Sequence, residues 1–169
     1  MTRRKKRRVR KTLLAVGEGH TEIAFLKYLR SIYCTGSSKN AEGPKVNVKN
    51  ARGKGPKHVL DTALAHQKQA QYDQTIILLD TDIPWDTDFE QTAKRNGITI
   101  IGSTPCIEAV FLCLIDQAIP STTEQCKREI KKYLKHDLTK LEHYKSWCPK
   151  EKLEKTNNNT LRLLIQQYK

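Results

Sequence analysis

The sequence predicts an α/β fold in which a parallel sheet is flanked by helices. Short apolar segments alternate along the chain with amphipathic segments of helical period. The apolar segment Thr75–Leu79 is rich in β-branched residues, which is typical of a strand buried on both faces. Alternating strands and helices favour parallel strands, because a parallel pair needs a long crossover connection that a helix can supply.

The predicted elements follow in order along the chain. Four short strands, each rich in apolar residues, are expected at Thr12–Val16, Val46–Val48, Thr75–Leu79 and Ile98–Ile101. Helices are expected at Glu22–Tyr33, Val59–Gln71, Thr87–Asn96, Pro105–Ile115 and Ser121–His136. Capping boxes are expected at two helix starts, Thr87 with Glu90 and Ser121 with Glu124. The remaining chain is expected to be helical, with interruptions near Pro149 and Asn157–Asn159.

The composition indicates one globular domain over residues 12–169, with a helical C-terminal region from about residue 121. Hydrophobic residues make up 37% of the chain and charged residues 29%. A membrane span needs about 20 consecutive apolar residues, and no segment approaches that length. No signal peptide is recognised, so a cytoplasmic location is expected. The five cysteines contain no Cys-x-x-Cys pair, which argues against a zinc ribbon and for reduced thiols.

Positive charge is concentrated at the N-terminus. The formal net charge is +13, and eight of the 31 lysines and arginines lie within residues 3–11. So dense a block of like charge predicts a flexible arm over residues 1–11 that suits a polyanion such as nucleic acid. The alternative is a solvated tail that aids solubility. The candidate phosphate contacts in the arm are Arg3, Arg4, Lys5, Lys6, Arg7 and Arg8.

Acidic residues follow two of the predicted strands. Glu18 lies between two glycines after the first strand, and Glu22 follows about one turn later. Asp80 and Asp82 directly follow the third strand, where alternate residues of an extended chain point the same way. Glu108 is the one acid in an apolar helix start and needs a partner or a metal. Because parallel strands end at one edge of the sheet, these acids are expected to converge.

Convergent carboxylates predict a site for Mg²⁺ or Mn²⁺. The expected metal ligands are Glu18, Asp80, Asp82 and Glu22, and all four, together with Glu108, are the candidate catalytic residues. Glu18 could also act as a general acid or base. A basic glycine loop after the second strand offers further phosphate contacts, namely Arg52, Lys54 and Lys57. The alternatives are helix-dipole or turn-capping roles for the acids and an ordinary exposed loop for the basic residues.

The order of these motifs resembles a known family. Gly17–Glu22 after one strand and Leu79–Asp82 after another are similar to the Toprim pattern, whose fold is a Rossmann-like sheet. Together with the basic N-terminus, the segments Ser103–Ala109 and Asn157–Leu164 resemble those of RloB-type (AbiLii-like) proteins. Thr104 stands where that group usually has Asn, and Ile107 where it usually has an aromatic residue.

The resemblance implies a Toprim-like, metal-dependent nuclease that acts on RNA, such as tRNA, or on DNA. Such proteins occur in phage-defence and abortive-infection loci, often beside an AAA-type ATPase, so nucleic acid and such an ATPase are the expected partners. The main alternative is a catalytically inactive nucleic-acid-binding subunit of a defence complex. A primase-type enzyme is disfavoured because the chain has no companion catalytic domain, and a ribosome-associated basic protein would leave the converging acids unexplained.

Overall fold

The predicted alternation of strands and helices is confirmed by the computed structural model, which describes residues 9–36 and 42–169. The described chain contains four strands: β1 (Thr12–Gly17), β2 (Lys45–Asn50), β3 (Gln74–Asp80) and β4 (Ile98–Ser103). Its helices are α1 (His20–Tyr33), α2 (Gly55–Gln69), α3 (Thr87–Arg95), α4 (Ile107–Leu114), α5 (Thr123–Tyr133), α6 (Leu141–Trp147), α7 (Lys150–Glu154) and α8 (Asn159–Tyr168).

The strands form one parallel sheet in the order β2-β1-β3-β4. The chain leaves β1 to form β2 on one side and later returns to form β3 on the other side. The register places Gly17 at the end of β1 opposite both Asn50 and Leu78. At such a reversal of strand order, the carboxyl ends of the two central strands leave a crevice in which α/β proteins commonly bind ligands.

Helices cover both faces of the sheet, because alternate residues of β1 and β3 enter two separate cores. Leu13, Ala15, Ile76 and Leu78 pack with α1 and with helices of the C-terminal half. Leu14, Val16, Ile77 and Leu79 pack with α2 and α3 on the opposite face. All eight of these side chains are fully buried. The prediction of a parallel sheet flanked by helices, with a helical C-terminal region, is therefore confirmed.

Helix starts are where the sequence-based boundaries are wrong. The cap of α3 is Asp86, whose carboxylate accepts the Phe89 N–H at 2.8 Å, and the cap of α5 is Thr122, which accepts from Gln125. Each cap lies one residue away from the predicted capping hydroxyl, since neighbouring Asp and Thr side chains cap equally well. Helix α2 begins at Gly55, four residues before the predicted start at Val59, because Pro56 suits the first turn of a helix.

Arg10 and Lys11 are attached to the domain, although the sequence predicted that they belong to a flexible arm. The Arg10 guanidinium donates to the carbonyl oxygens of Glu42, Gly43 and Pro44 at 3.0–3.1 Å. The Lys11 carbonyl accepts the backbone N–H of Lys45 at 2.7 Å. The arm prediction for residues 1–8 lies outside the described residues.

The described helices are all too short or too polar to cross a lipid bilayer.

All five cysteines are free thiols, and Cys106, Cys126 and Cys148 are buried. The apolar run around Cys106 and Cys113 predicts that both are reduced core residues, but Cys113 is only half-buried, whereas Cys106 is fully buried in the core. Burial raises the pKa of its thiol, so Cys106 stays neutral at physiological pH.

Candidate functional site

Backbone hydrogen bonds join the strand ends in pairs at the carboxyl edge of the sheet. Beyond β1 and β2, the N–H of Gly53 donates to the Glu18 carbonyl at 2.8 Å. Beyond β3 and β4, the N–H of Thr81 donates to the Ser103 carbonyl at 2.9 Å, and the N–H of Asp82 donates to the Pro105 carbonyl at 3.2 Å. The turns that carry the predicted site residues are therefore fixed against one another.

Five carboxylates meet at this edge, and we call them the carboxylate cluster. Glu22 interacts electrostatically with Glu18 and Glu108, while Asp80 interacts with Glu22, Glu108 and Asp82. The predicted convergence of the candidate acids is thus present in the structure. These side chains come from the β1–α1 turn, the first turn of α1, the end of β3, the turn after it and the first turn of α4.

The glycines beside Glu18 allow helix α1 to approach the end of β1 closely. Neither Gly17 nor Gly19 has a positive φ. A Cβ atom at Gly17 would lie 3.0 Å from the Cβ of Glu22, and one at Gly19 would lie 2.8 Å from Oε2 of Glu22. The missing side chains therefore let the start of α1 and the Glu22 carboxylate settle against the end of β1.

Glu22 is a buried acid, with only 6% of its surface exposed. Burial is the largest cause of its raised pKa, and the charges of Glu108 and Glu18 add to it. Backbone N–H groups of Glu22 and Gly19 act in the opposite direction. Glu22 lies in the first turn of α1, where an acid complements the helix dipole. That role does not require an acid to be buried among other acids, so it does not account for the position of Glu22.

Asp80 lies at the centre of the cluster as the last residue of β3. Its Oδ1 accepts the N–H of Ile107, at the start of α4, at 2.9 Å. Burial, followed by the charges of Glu22 and Glu108, raises the pKa of Asp80 to about 8, although the Ile107 N–H acts to lower it. Asp80 therefore keeps its proton at neutral pH when no metal is bound, because burial and the charges of Glu22 and Glu108 disfavour a further negative charge there.

Asp82 and Glu108 flank Asp80 in different environments. Asp82 is exposed, and its Oδ2 accepts the hydroxyl of Thr123 in α5 at 2.7 Å. Glu108 is buried, and its Oε2 has no hydrogen-bond partner within the described chain. The hydroxyl oxygen of Ser103, the register partner of Asp80, is likewise buried without a partner there. Buried polar atoms left unsatisfied are costly, so the two orphaned oxygens point to a missing polar ligand.

The chemistry of this donor set fits a hard divalent cation, which prefers carboxylate oxygens. Within residues 9–36 and 42–169, however, no three acidic, histidine or cysteine side chains are arranged to hold one ion directly. Mutual repulsion gives a physical reason, since Asp82 is turned to Thr123 and Glu22 lies against Gly19. The carboxylate cluster therefore has the composition of a magnesium or manganese site, and its side chains would have to close around the ion.

The basic loop after β2 lies beside Glu18, but its predicted extent needs correction. Four successive residues from Arg52 to Gly55 have positive φ angles, between 61° and 80°. Arg52 and Lys54 are exposed on this left-handed turn, whereas Lys57 is exposed on the first turn of α2 and is not a loop residue. The remaining predicted phosphate contacts, which are Arg3, Arg4, Lys5, Lys6, Arg7 and Arg8, lie outside the described residues.

Several neighbours of the cluster could not have been picked out from the sequence. Thr123 and Lys127 lie on α5, where charged residues predicted only an exposed helix face. Burial acts to lower the pKa of Lys127, but the charges of Glu108 and Asp80 outweigh it, and the pKa is raised. His20, which lies between Glu18 and Glu22 in the sequence, is exposed at the first position of α1.

The comparisons with known proteins give one match. A family model described as "RloB-like protein" matches residues 13–167. This range contains all five members of the carboxylate cluster and the basic loop. No curated protein and no solved structure matches the chain.

Proposed function

The chain belongs to the RloB-like family, and we propose that it is a metal-dependent nuclease that hydrolyses phosphodiester bonds in nucleic acid. The observation that carries this proposal is the convergence of five carboxylates at the carboxyl edge of the sheet, with Glu22 and Glu108 buried among them. Burying acids together costs free energy, and a purely structural role would be served better by apolar side chains. A divalent cation that offsets this repulsion accounts for the arrangement.

Asp80, Asp82 and Glu18 would hold the ion, with Glu22 and Glu108 beside them. When bound, Mg²⁺ or Mn²⁺ supplies the positive charge that activates water and stabilises the leaving oxygen of a phosphodiester. The Ile107 N–H keeps Asp80 oriented towards the cluster. Asp80 would give up its proton when the site is loaded, and Glu18, which is only partly buried, is the proposed general acid or base.

Exposed cations beside the cluster suit a polyanionic substrate. Arg52 and Lys54 lie on the loop that is hydrogen-bonded to Glu18, and Lys57 lies one turn further on. We propose that these residues, together with the basic segment at residues 3–8, contact the phosphate backbone of the substrate. From the resemblance to RloB-type proteins, we further propose a role in antiviral defence, with an AAA-type ATPase as partner.

A second candidate is a catalytically inactive nucleic-acid-binding subunit. It is favoured by the absence, in the described chain, of three ligands already arranged around one point. A binding subunit would need the basic residues but no metal. Metal dependence therefore separates the two functions.

The test is a cleavage assay on pooled tRNA, single-stranded DNA and duplex DNA with Mg²⁺, Mn²⁺ or EDTA. Wild-type protein is expected to cleave at least one substrate only when a metal is present. Glu18→Ala is expected to lower the rate by about 10- to 100-fold, because a charge next to the metal is lost. Glu142→Ala, which replaces an exposed acid of α6, serves as the matched control.

Cleavage that survives EDTA, or equal rates for wild type and Glu18→Ala, would contradict the proposed nuclease mechanism. Salt-sensitive binding of all three nucleic acids without cleavage would favour the binding subunit.

A further inference from the structure

Helix α5 is held beside the carboxylate cluster at its N-terminal end. The Thr123 hydroxyl donates to Asp82 at 2.7 Å, and Thr123 is itself buried. Three residues later, the buried thiol of Cys126 lies in the same core as Cys106, which immediately precedes α4. This packing fixes one side of α5 against the start of α4, where Glu108 lies.

Lys127 follows Thr123 by four residues, so the two side chains lie on the same side of α5. Thr123 is hydrogen-bonded to Asp82, so Lys127 lies one helical turn from that contact with the cluster. The charge of Lys127 is coupled most strongly to Glu108 and Asp80, and also to Asp82. Lys127 is exposed, so its charge acts on these acids from the surface of α5.

Lys127 is near these acids without being paired to one of them. The ion pairs within the described residues join Lys132 to Glu129 and Lys169 to Glu154. No carboxylate oxygen described in the structure lies within 4.0 Å of the Lys127 ammonium group, which leaves its three donors available.

Charge explains what a lysine could do at this place. Five carboxylates repel a phosphodiester, and a single divalent cation offsets only part of that repulsion. A lysine ammonium is a compact charge whose hydrogen-bond donors suit phosphate oxygens. Lys127 is an exposed cation whose charge acts on these acids, so its ammonium group is accessible to a phosphate that approaches from solvent.

We propose that Lys127 is a further catalytic residue of this site, and that its ammonium group contacts a non-bridging oxygen of the scissile phosphate. The assignment rests on the proposed nuclease function. The contact strengthens as negative charge builds up on the phosphate oxygens in the transition state. The substrate class that the assignment implies is a phosphodiester presented from the side of α5.

The experiment compares wild type, Lys127→Met, Lys127→Arg and Lys131→Met in the cleavage assay with saturating Mn²⁺. Methionine keeps the aliphatic length of the side chain and removes the charge. Lys131 lies one turn further along α5, is exposed and serves as the matched control. Melting temperature and Mn²⁺ affinity are measured for every variant.

Lys127→Met is expected to lower kcat by about 10- to 100-fold. Lys127→Arg should recover part of that loss, while Lys131→Met stays within about twofold of wild type. Because a positive charge beside the ion is removed, Lys127→Met should bind Mn²⁺ at least as tightly as wild type. A purely structural lysine would instead lower the melting temperature or the affinity for the metal.

Wild-type rates for Lys127→Met in an active preparation would overturn the assignment of Lys127 and leave the nuclease function standing. A rate loss that Lys131→Met shares, or that follows weaker Mn²⁺ binding or a lower melting temperature, would also overturn the assignment. A wild-type protein that cleaves nothing overturns the proposed function, and the role of Lys127 falls with it.

Discussion

Replacement of Asp80 by Asn is expected to lower the rate of metal-dependent cleavage by roughly 1000-fold. The amide oxygen of Asn can still accept the N–H of Ile107, so the start of α4 stays in place. The amide has no charge, however, and Asp80 is the acid that interacts with Glu22, Glu108 and Asp82 at once. The measurement is the initial rate on an end-labelled oligonucleotide of the cleaved class, with Mn²⁺ in excess.

Stability separates this loss of activity from misfolding. An unfolded Asp ionises near pH 3.8, whereas the pKa of Asp80 in the folded chain is about 8. Between pH 3.8 and pH 8, Asp80 loses its proton in the unfolded chain but keeps it in the folded chain. The unfolded state is therefore favoured more strongly as the pH rises, and the free energy of unfolding falls progressively. Metal-free Asp80→Asn should therefore be more stable than wild type at pH 8, by roughly 1–3 kcal/mol.

Asp88→Asn is the control for this variant, since Asp88 is exposed in the first turn of α3. Its cleavage rate should stay within about twofold of wild type. Urea unfolding at pH 5 and pH 8 gives the stabilities. If Asp80→Asn unfolded more easily than wild type at pH 8, the description of Asp80 as a buried, repelled acid would be wrong.

Cleavage by the wild type should rise about 50-fold between pH 6 and pH 8 when Mn²⁺ is well below saturation. Burial and the neighbouring acids hold the proton on Asp80 up to a pKa of about 8. Below that pKa the ionised fraction grows about tenfold per pH unit, and only the ionised form binds the ion. Initial rates from pH 5.5 to 9 measure the effect.

Metal and proton compete for the same carboxylate in this account. Raising the Mn²⁺ concentration should therefore move the midpoint of the pH profile to lower pH. If the midpoint of the pH profile lay near pH 4 and did not change with the Mn²⁺ concentration, an ordinary exposed acid would control the rate.

The sheet and the position of the acids could be predicted from the sequence because both depend on local pattern. Apolar segments such as Thr75–Leu79 identify buried strands, and parallel strands end at the same edge. Glu18 and Asp80 directly follow two such segments, so their convergence needs no knowledge of helix packing. Glu108 is recognisable as a lone acid among apolar residues.

The remainder of the site depends on tertiary packing. The charge of Lys127 acts on the cluster because α5 packs against the start of α4 through Cys126 and Cys106, which no local pattern in a charged helix indicates. The orphaned hydroxyl of Ser103 results from the register of β4 against β3. The role of Gly17 and Gly19 likewise appears only when α1 is placed against β1.

Calorimetric titration of metal-free protein with Mn²⁺ at pH 8 tests most directly whether the carboxylate cluster is a metal site. The account predicts that wild type binds about one ion at the cluster, and that Asp80→Asn binds at least about 100-fold more weakly. No binding by the wild type, or equal binding by wild type and Asp80→Asn, would contradict it.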